Sequence, residues 1–134
     1  MVSIVKYFYQ EKIETREIHF SDDSKCLILS PLSMKYGDIQ LMKIMWDLSI
    51  NYVNKFEIKY IILDFSRAED ISSTSIGLLL KLANDLQEKQ CDIVLANPSK
   101  TMHTIFKNIG LDKMFRTYPN NYQALLAFRS ATLF

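Results

Sequence analysis

Residues 60–86, YIILDFSRAEDISSTSIGLLLKLANDL, pass from a strand through a turn into a helix with no spare residues between them, and few folds accommodate that. Tyr60, Ile61, Ile62 and Leu63 form an unbroken apolar run, which suits a central strand covered on both faces. From Asp64 to Thr74 the chain turns polar. Beyond Ile76 the period changes, with Leu79, Leu82, Ala83 and Leu86 spaced i, i+3, i+4, i+7 along one helix face. The hydroxyl cluster Ser72, Ser73, Thr74 and Ser75 therefore marks that helix's N-terminus. A helix start has N–H groups without internal partners and a partial positive charge, so it favours a capping hydroxyl and tolerates a phosphate. One hydroxyl suffices for capping. Four in a row leave at least two directed at solvent or at a partner.

The rest of the chain supplies elements that fit round this one. Residues 1–12 are apolar and aromatic and form either an extra edge strand or a segment packed across the sheet. Ile13 to Phe20 suits a strand, Ser21 to Ser24 a hairpin turn, and Cys26 to Leu29 a second strand. Pro31 cannot donate to a ladder and ends it. Asp38 can cap a helix reaching about Phe56, whose apolar positions, among them Met42, Met45, Trp46 and Val53, cover more than a narrow stripe. Such a helix is either well buried in its own domain or offers Trp46 and a methionine face to a partner. Cys91 to Ala96 is a second strongly apolar strand. Met102, Ile105, Phe106 and Ile109 then predict a helix that Gly110 closes in the left-handed conformation. Phe115 to Tyr118 can add a last short strand, and Pro119-Asn120-Asn121 opens a terminal helix carrying Tyr122, Leu125, Leu126 and Phe128. Strands alternating with helices in the second half predict parallel pairing with helices packed on the sheet.

At 134 residues and 49% hydrophobic content the chain fits one domain, residues 1–134, with a single core. Sixteen basic residues balance fifteen acidic ones without clustering, which gives no electrostatic reason to expect nucleic acid or an anionic membrane as partner. Cys26 and Cys91 lack CxxC or metal-ligand spacing and read as reduced residues of a cytosolic protein. The N-terminus has no signal-peptide pattern, and no run approaches the roughly 18 apolar residues of a membrane helix. The expectation is a cytoplasmic protein without membrane insertion.

Leu63-Asp64-Phe65-Ser66, followed after a gap by Ile71-Ser72-Ser73-Thr74-Ser75-Ile76-Gly77-Leu78-Leu79-Leu80, resembles the signature of STAS domains, the family of bacterial anti-sigma-factor antagonists. Ile93 to Pro98, Phe106, Ile109-Gly110-Leu111, Phe115 and Ala124-Leu125 match the family's second half in order and spacing. The resemblance implies a STAS-type α/β fold, a mixed β-sheet with helices packed mainly on one face. Aligned through Leu63 and Gly77, Ser73 falls on the family's regulatory phosphoacceptor serine, with Thr74 the second choice. Ser66, Ser72, Thr74, Ser75 and Ile76 would line the partner-binding surface. Ser72 stands where the family usually has Asp, and Ser75 where it usually has Gly. The implied partner is an anti-sigma factor with Ser/Thr kinase activity, bound by the unphosphorylated form and released by phosphorylation. Homodimerisation stays open.

No catalytic residue, metal ligand or cofactor site emerges. His19, in a strand, and His103, on a helix, belong to no nucleophile or metal motif. With only Gly37, Gly77 and Gly110, the chain has no Gly-rich phosphate loop. Asp64, Glu69 and Asp70 read as solvated turn carboxylates. A phosphate on Ser73 would add about −1.5 to −2 charge beside Glu69 and Asp70, so a partner fitted to the neutral hydroxyl would lose contact. The rival readings are a constitutive STAS subunit of a transport or signalling complex and a small-ligand or nucleotide sensor.

Overall fold

The computed structural model describes residues 3–9, 13–20, 24–31, 39–56, 58–68 and 71–132. The elements follow in the order β1 (Ser3–Tyr9), β2 (Ile13–His19), β3 (Lys25–Pro31), α1 (Ile39–Phe56), β4 (Tyr60–Asp64), α2 (Ser73–Glu88), β5 (Asp92–Ala96), α3 (Lys100–Ile109), a 3₁₀ turn at Leu111–Lys113, β6 (Thr117–Tyr118) and α4 (Asn121–Thr132). The sheet order is β1-β2-β3-β4-β5-β6. The first three strands pair antiparallel, and β3 to β6 pair parallel, as the alternation of strand and helix requires. The N-terminal aromatic segment is thus an edge strand, with Ser3 opposite His19 and Tyr9 opposite Ile13.

The unbroken apolar run of β4 has a direct cause, because the sheet is covered on both faces. Ile61 and Leu63 point into a large core built with α1, α2 and α3, together with Leu27, Leu29, Met45, Leu79, Leu82 and Phe106. Tyr60 and Ile62 point the other way, into a smaller core with Cys26, Ile28, Val94 and α4. The two faces follow the period-2 alternation of the strands. Three helices share one face, so the helices do pack mainly on one side.

The α1 pattern resolves in favour of burial. Leu41, Met42, Met45 and Val53 are in the core, and Ser49 lies among them with its hydroxyl donating to the Met45 carbonyl at 2.7 Å. Trp46 is half-buried against that core, with the Lys81 ammonium 5.7 Å from its ring centroid. The proposed cap Asp38 lies outside the described residues. The centre of the β2–β3 hairpin does too, but its closure is clear from the Phe20 N–H donating to the Ser24 carbonyl at 2.9 Å.

On α3, Met102 and Phe106 are buried and Gly110 takes φ 78°, the left-handed C-cap that the sequence predicts. Ile109, expected on the same inward face, is 54% exposed instead. Leu111, just beyond the cap, turns into the core in its place. On α4, Tyr122 and Leu126 are exposed, whereas Ala124 and Phe128 are buried and Leu125 packs at the margin. One narrow stripe of α4 meets the sheet, and among the described residues no further layer lies outside it.

Candidate functional site

Strand β4 delivers the chain to the carboxyl end of the parallel strands, where Phe65 extends the ladder by donating its N–H to the Ala96 carbonyl at 2.9 Å. Phe65 packs on Phe106, and Ala68 and Ile71 are buried, so the loop to α2 is anchored from below. Ser66 and Arg67 between them are exposed. Glu69 and Asp70, the carboxylates expected beside the hydroxyl cluster, lie outside the described residues.

The four hydroxyls divide cleanly. Ser72 is the N-cap of α2, with extended backbone (φ −83°, ψ 159°), and its Oγ accepts the Ser75 N–H at 3.1 Å. The same Oγ donates to the Ser75 Oγ at 3.1 Å, and Ser75 is buried. Two hydroxyls therefore serve the cap. Ser73, the first residue of the helix, and Thr74 are exposed and stand outside this arrangement. Gly77, one turn on, is also exposed, and apart from its chain neighbours and its own helix backbone no described residue comes within 4 Å of the place its Cβ would occupy. Of the residues expected to line a partner surface, Ser66, Ser73 and Thr74 lie open at the two ends of one loop, and Ser72 is half-covered. Ser75 and Ile76 face inward, so they shape that surface from beneath instead of lining it; the helix period forces this, since Ser75, Leu79, Leu82 and Leu86 share the core face.

The sequence reading of Asp64 as a solvated turn carboxylate is overturned. Asp64 is 2% exposed and gathers five donors. Its Oδ1 accepts the Ser66 N–H at 2.9 Å and Asn97 Nδ2 at 2.8 Å. Its Oδ2 accepts Ser30 Oγ at 2.9 Å, Arg16 Nη2 at 3.0 Å and Asn121 Nδ2 at 3.1 Å. Asn97 also donates to Asn121 Oδ1 at 3.2 Å, and takes a left-handed φ of 55° that asparagine tolerates better than most residues. Burial alone would raise the Asp64 pKa; the hydrogen bonds from Ser66 N–H, Asn121, Asn97 and Ser30 more than offset it and hold the carboxyl below its ordinary value. A second chain of charges flanks the first. Buried Glu14 lies 3.7 Å from Arg16 Nε and 3.3 Å from Arg67 Nη2, so β2 is tied both to Asp64 and to the exposed loop before α2. Asp64 thus joins β2, β3, the start of the α2 loop, the end of β5 and the start of α4. Of its partners only Ser66 was singled out from sequence, and for the partner surface instead of this contact. The available signals were a carboxylate closing a wholly apolar strand and asparagines beside Pro98 and Pro119.

The remaining chemically active types are placed without such convergence. Cys26 and Cys91 are free and buried, and burial pushes the Cys91 thiol up to about 12 and Cys26 further in the same direction. His19 Nε2 lies 3.3 Å from Glu17 Oε2, and His103 is exposed on α3. No group of three or more His, Cys, Asp or Glu side chains forms a metal site among the described residues. No helix among them is long and apolar enough to cross a membrane.

A family model described as STAS domain matches residues 9–124. No curated protein matches the chain significantly. Among solved structures, the Thermotoga maritima protein TM1081 superposes with a TM-score of 0.68 at 18% identity, covering 84% of this chain and 86% of that one. The anti-sigma factor antagonist SpoIIAA in its unphosphorylated form gives 0.65 at 15% identity, covering 96% and 97%. An anti-sigma factor antagonist from Mycobacterium paratuberculosis gives 0.60 at 17% identity, covering 96% and 95%. At these identities the structural likeness establishes the fold.

Proposed function

The chain belongs to the STAS domain family, and from that premise we propose that it is a non-enzymatic protein-interaction module, an anti-sigma-factor antagonist controlled by phosphorylation of Ser73. The observation that carries the reading is the division of labour at the start of α2. Ser72 and Ser75 perform the capping, so the exposed hydroxyls of Ser73 and Thr74 are surplus to folding. The partner's kinase would bring the catalytic groups, and the substrate need only present an accessible hydroxyl.

A phosphate at the first residue of a helix meets the positive end of the helix dipole, so the fold accommodates the modification. A partner surface fitted to a neutral hydroxyl faces about −1.5 to −2 added charge and a stronger hydration shell, and it dissociates. The switch acts on binding and leaves the domain folded. Ser66 and Thr74 complete the contact surface, with Ser72, Ser75 and Ile76 holding it in shape. The setting is cytoplasmic and bacterial, and the partner is an anti-sigma factor with Ser/Thr kinase activity.

The test uses wild type, Ser73→Ala and Ser73→Asp as baits in lysate of the native cell, with captured proteins identified by mass spectrometry. Recovery of an ATP-binding kinase-like protein by wild type and Ser73→Ala but not by Ser73→Asp is the expected outcome. If all three recover the same assembly without a kinase, Ser73 is no switch and the domain is a constitutive subunit.

A further inference from the structure

Beyond the ends of β5 and β6 the surface opens into a half-open cavity of about 620 Å³. Pro98, Tyr118 and Pro119 give it apolar walls, and Lys100, His103 and Thr104 on the first turns of α3 form its polar side. Its volume falls within the roughly 300–1,000 Å³ of organic-ligand sites, and it lies outside the carboxyl ends of parallel strands, where open α/β sheets hold ligands.

The lining determines the kind of ligand. Among the described residues it contains no carboxylate, and Lys100, the permanent charge among them, sits at the positive end of α3. Ser99 caps that end through the Met102 N–H, at 3.1 Å, and its carbonyl accepts the His103 N–H at 2.8 Å. The N–H groups of Lys100 and Thr101 fall outside this pattern. A polyphosphate would need a cradle of backbone N–H groups and several cations. Two of the walls here are prolines, which have no N–H to offer. We infer that this cavity is a binding site for a small amphipathic organic monoanion, its apolar body against Pro98, Tyr118 and Pro119 and its single oxyanion at Lys100.

The site is separate from Ser73 yet joined to it through side chains. Asn97, next to Pro98, and Asn121, two residues past Pro119, both donate to Asp64, which also holds the Ser66 N–H. Occupancy of the cavity therefore bears on two loops that share a carboxylate with the loop leading to α2.

The experiment is an amide NMR titration of the full ¹⁵N-labelled chain with decanoate, decyl phosphate, decanol and ATP. Decanoate is expected to give saturable shifts centred on Lys100, His103, Thr104, Thr117 and Tyr118. Decanol, with the same chain and no charge, should bind about tenfold more weakly, the loss of one charged hydrogen bond. Lys100→Gln should bring decanoate down to the decanol level while leaving the other amide positions unchanged. Decyl phosphate, which carries more than one charge at neutral pH, is expected to bind no more tightly than decanoate, and a clear preference for it overturns the assignment to a monoanion. Absence of saturable shifts with both anions up to millimolar concentration overturns the inference. So does an unchanged decanoate affinity in Lys100→Gln, or ATP shifting these residues where decanoate does not.

Discussion

A buried carboxylate with five donors is costly to disturb. Replacing Asp64 with Asn keeps the shape but turns an acceptor oxygen into a donor facing Arg16, Ser30 and Asn121 or Ser66 and Asn97, so at least two donors lose their acceptor inside the protein. Asp64→Asn should cost roughly 2–4 kcal/mol of stability, read as a shift in urea midpoint at pH 7. Ser73→Asp, at an exposed helix start, should stay within about 0.5 kcal/mol of wild type. The pH dependence has a definite sign. The folded pKa of Asp64 lies below its ordinary 3.8, so the stabilisation is fully present above that value and is lost as pH falls through the folded pKa. Urea midpoints of wild type and Asp64→Asn measured from pH 7 downward should therefore differ by a constant amount to about pH 4 and converge below it. A gap that persists unchanged into strong acid would mean that the carboxylate charge contributes nothing. Sequence alone does not reveal this residue's role, because its side-chain partners lie 33 to 57 positions away and become neighbours only when five elements meet.

Among the elements, α2 has both a device that stabilises it and one that weakens it. The Ser72 cap satisfies the Ser75 N–H and gives the buried Ser75 hydroxyl a partner, so Ser72→Ala should lose about 1–2 kcal/mol. Gly77 works in the opposite direction. It lies within the helix without a positive φ, exposed, with open space where a Cβ would stand. Gly77→Ala should therefore stabilise the domain by about 0.5–1 kcal/mol, seen as a rise in melting temperature of about 2–5 °C. A fall instead would show that the glycine serves the fold itself. The helices and strands were legible wherever the pattern and the burial coincide. β4 reads as an apolar run because both its faces are covered, and α3 reads from Met102, Phe106 and Gly110. On α4 the apolar residues do not fix an inward face: Tyr122 and Leu126 are exposed while Ala124 and Phe128 are buried, because the helix buries one narrow stripe and hydrophobicity does not say which. At the site, the start of α2 was legible from local spacing, whereas the inward turn of Ser75 follows from the period of α2 and the Asp64 cluster from contacts between distant strands.

At the scale of the whole molecule, the question is whether a sheet with three helices on one face and one on the other unfolds as a unit. Among the described helices α4 alone covers the smaller core, and its largest buried side chain there is Phe128, which stacks on Tyr60 at 4.6 Å between ring centroids and meets Phe20 at 5.6 Å. Were the two cores independent, loss of Phe128 would release α4 and leave the other face intact. The strands argue against independence. Leu27 and Leu29 of β3 serve one core while Cys26 and Ile28 serve the other, and Ile61 and Ile62 of β4 divide in the same way. A strand cannot give up one face without moving the other. Phe128→Ala should accordingly cost about 3–5 kcal/mol of global stability. Trp46, the sole tryptophan, reports on the opposite face, packed against the larger core on α1. Its fluorescence and the far-UV circular dichroism should trace a single urea transition in Phe128→Ala, both shifted to the same lower midpoint. If the dichroism falls early while the Trp46 signal keeps its wild-type midpoint, α4 is a detachable lid and the two faces are energetically separate.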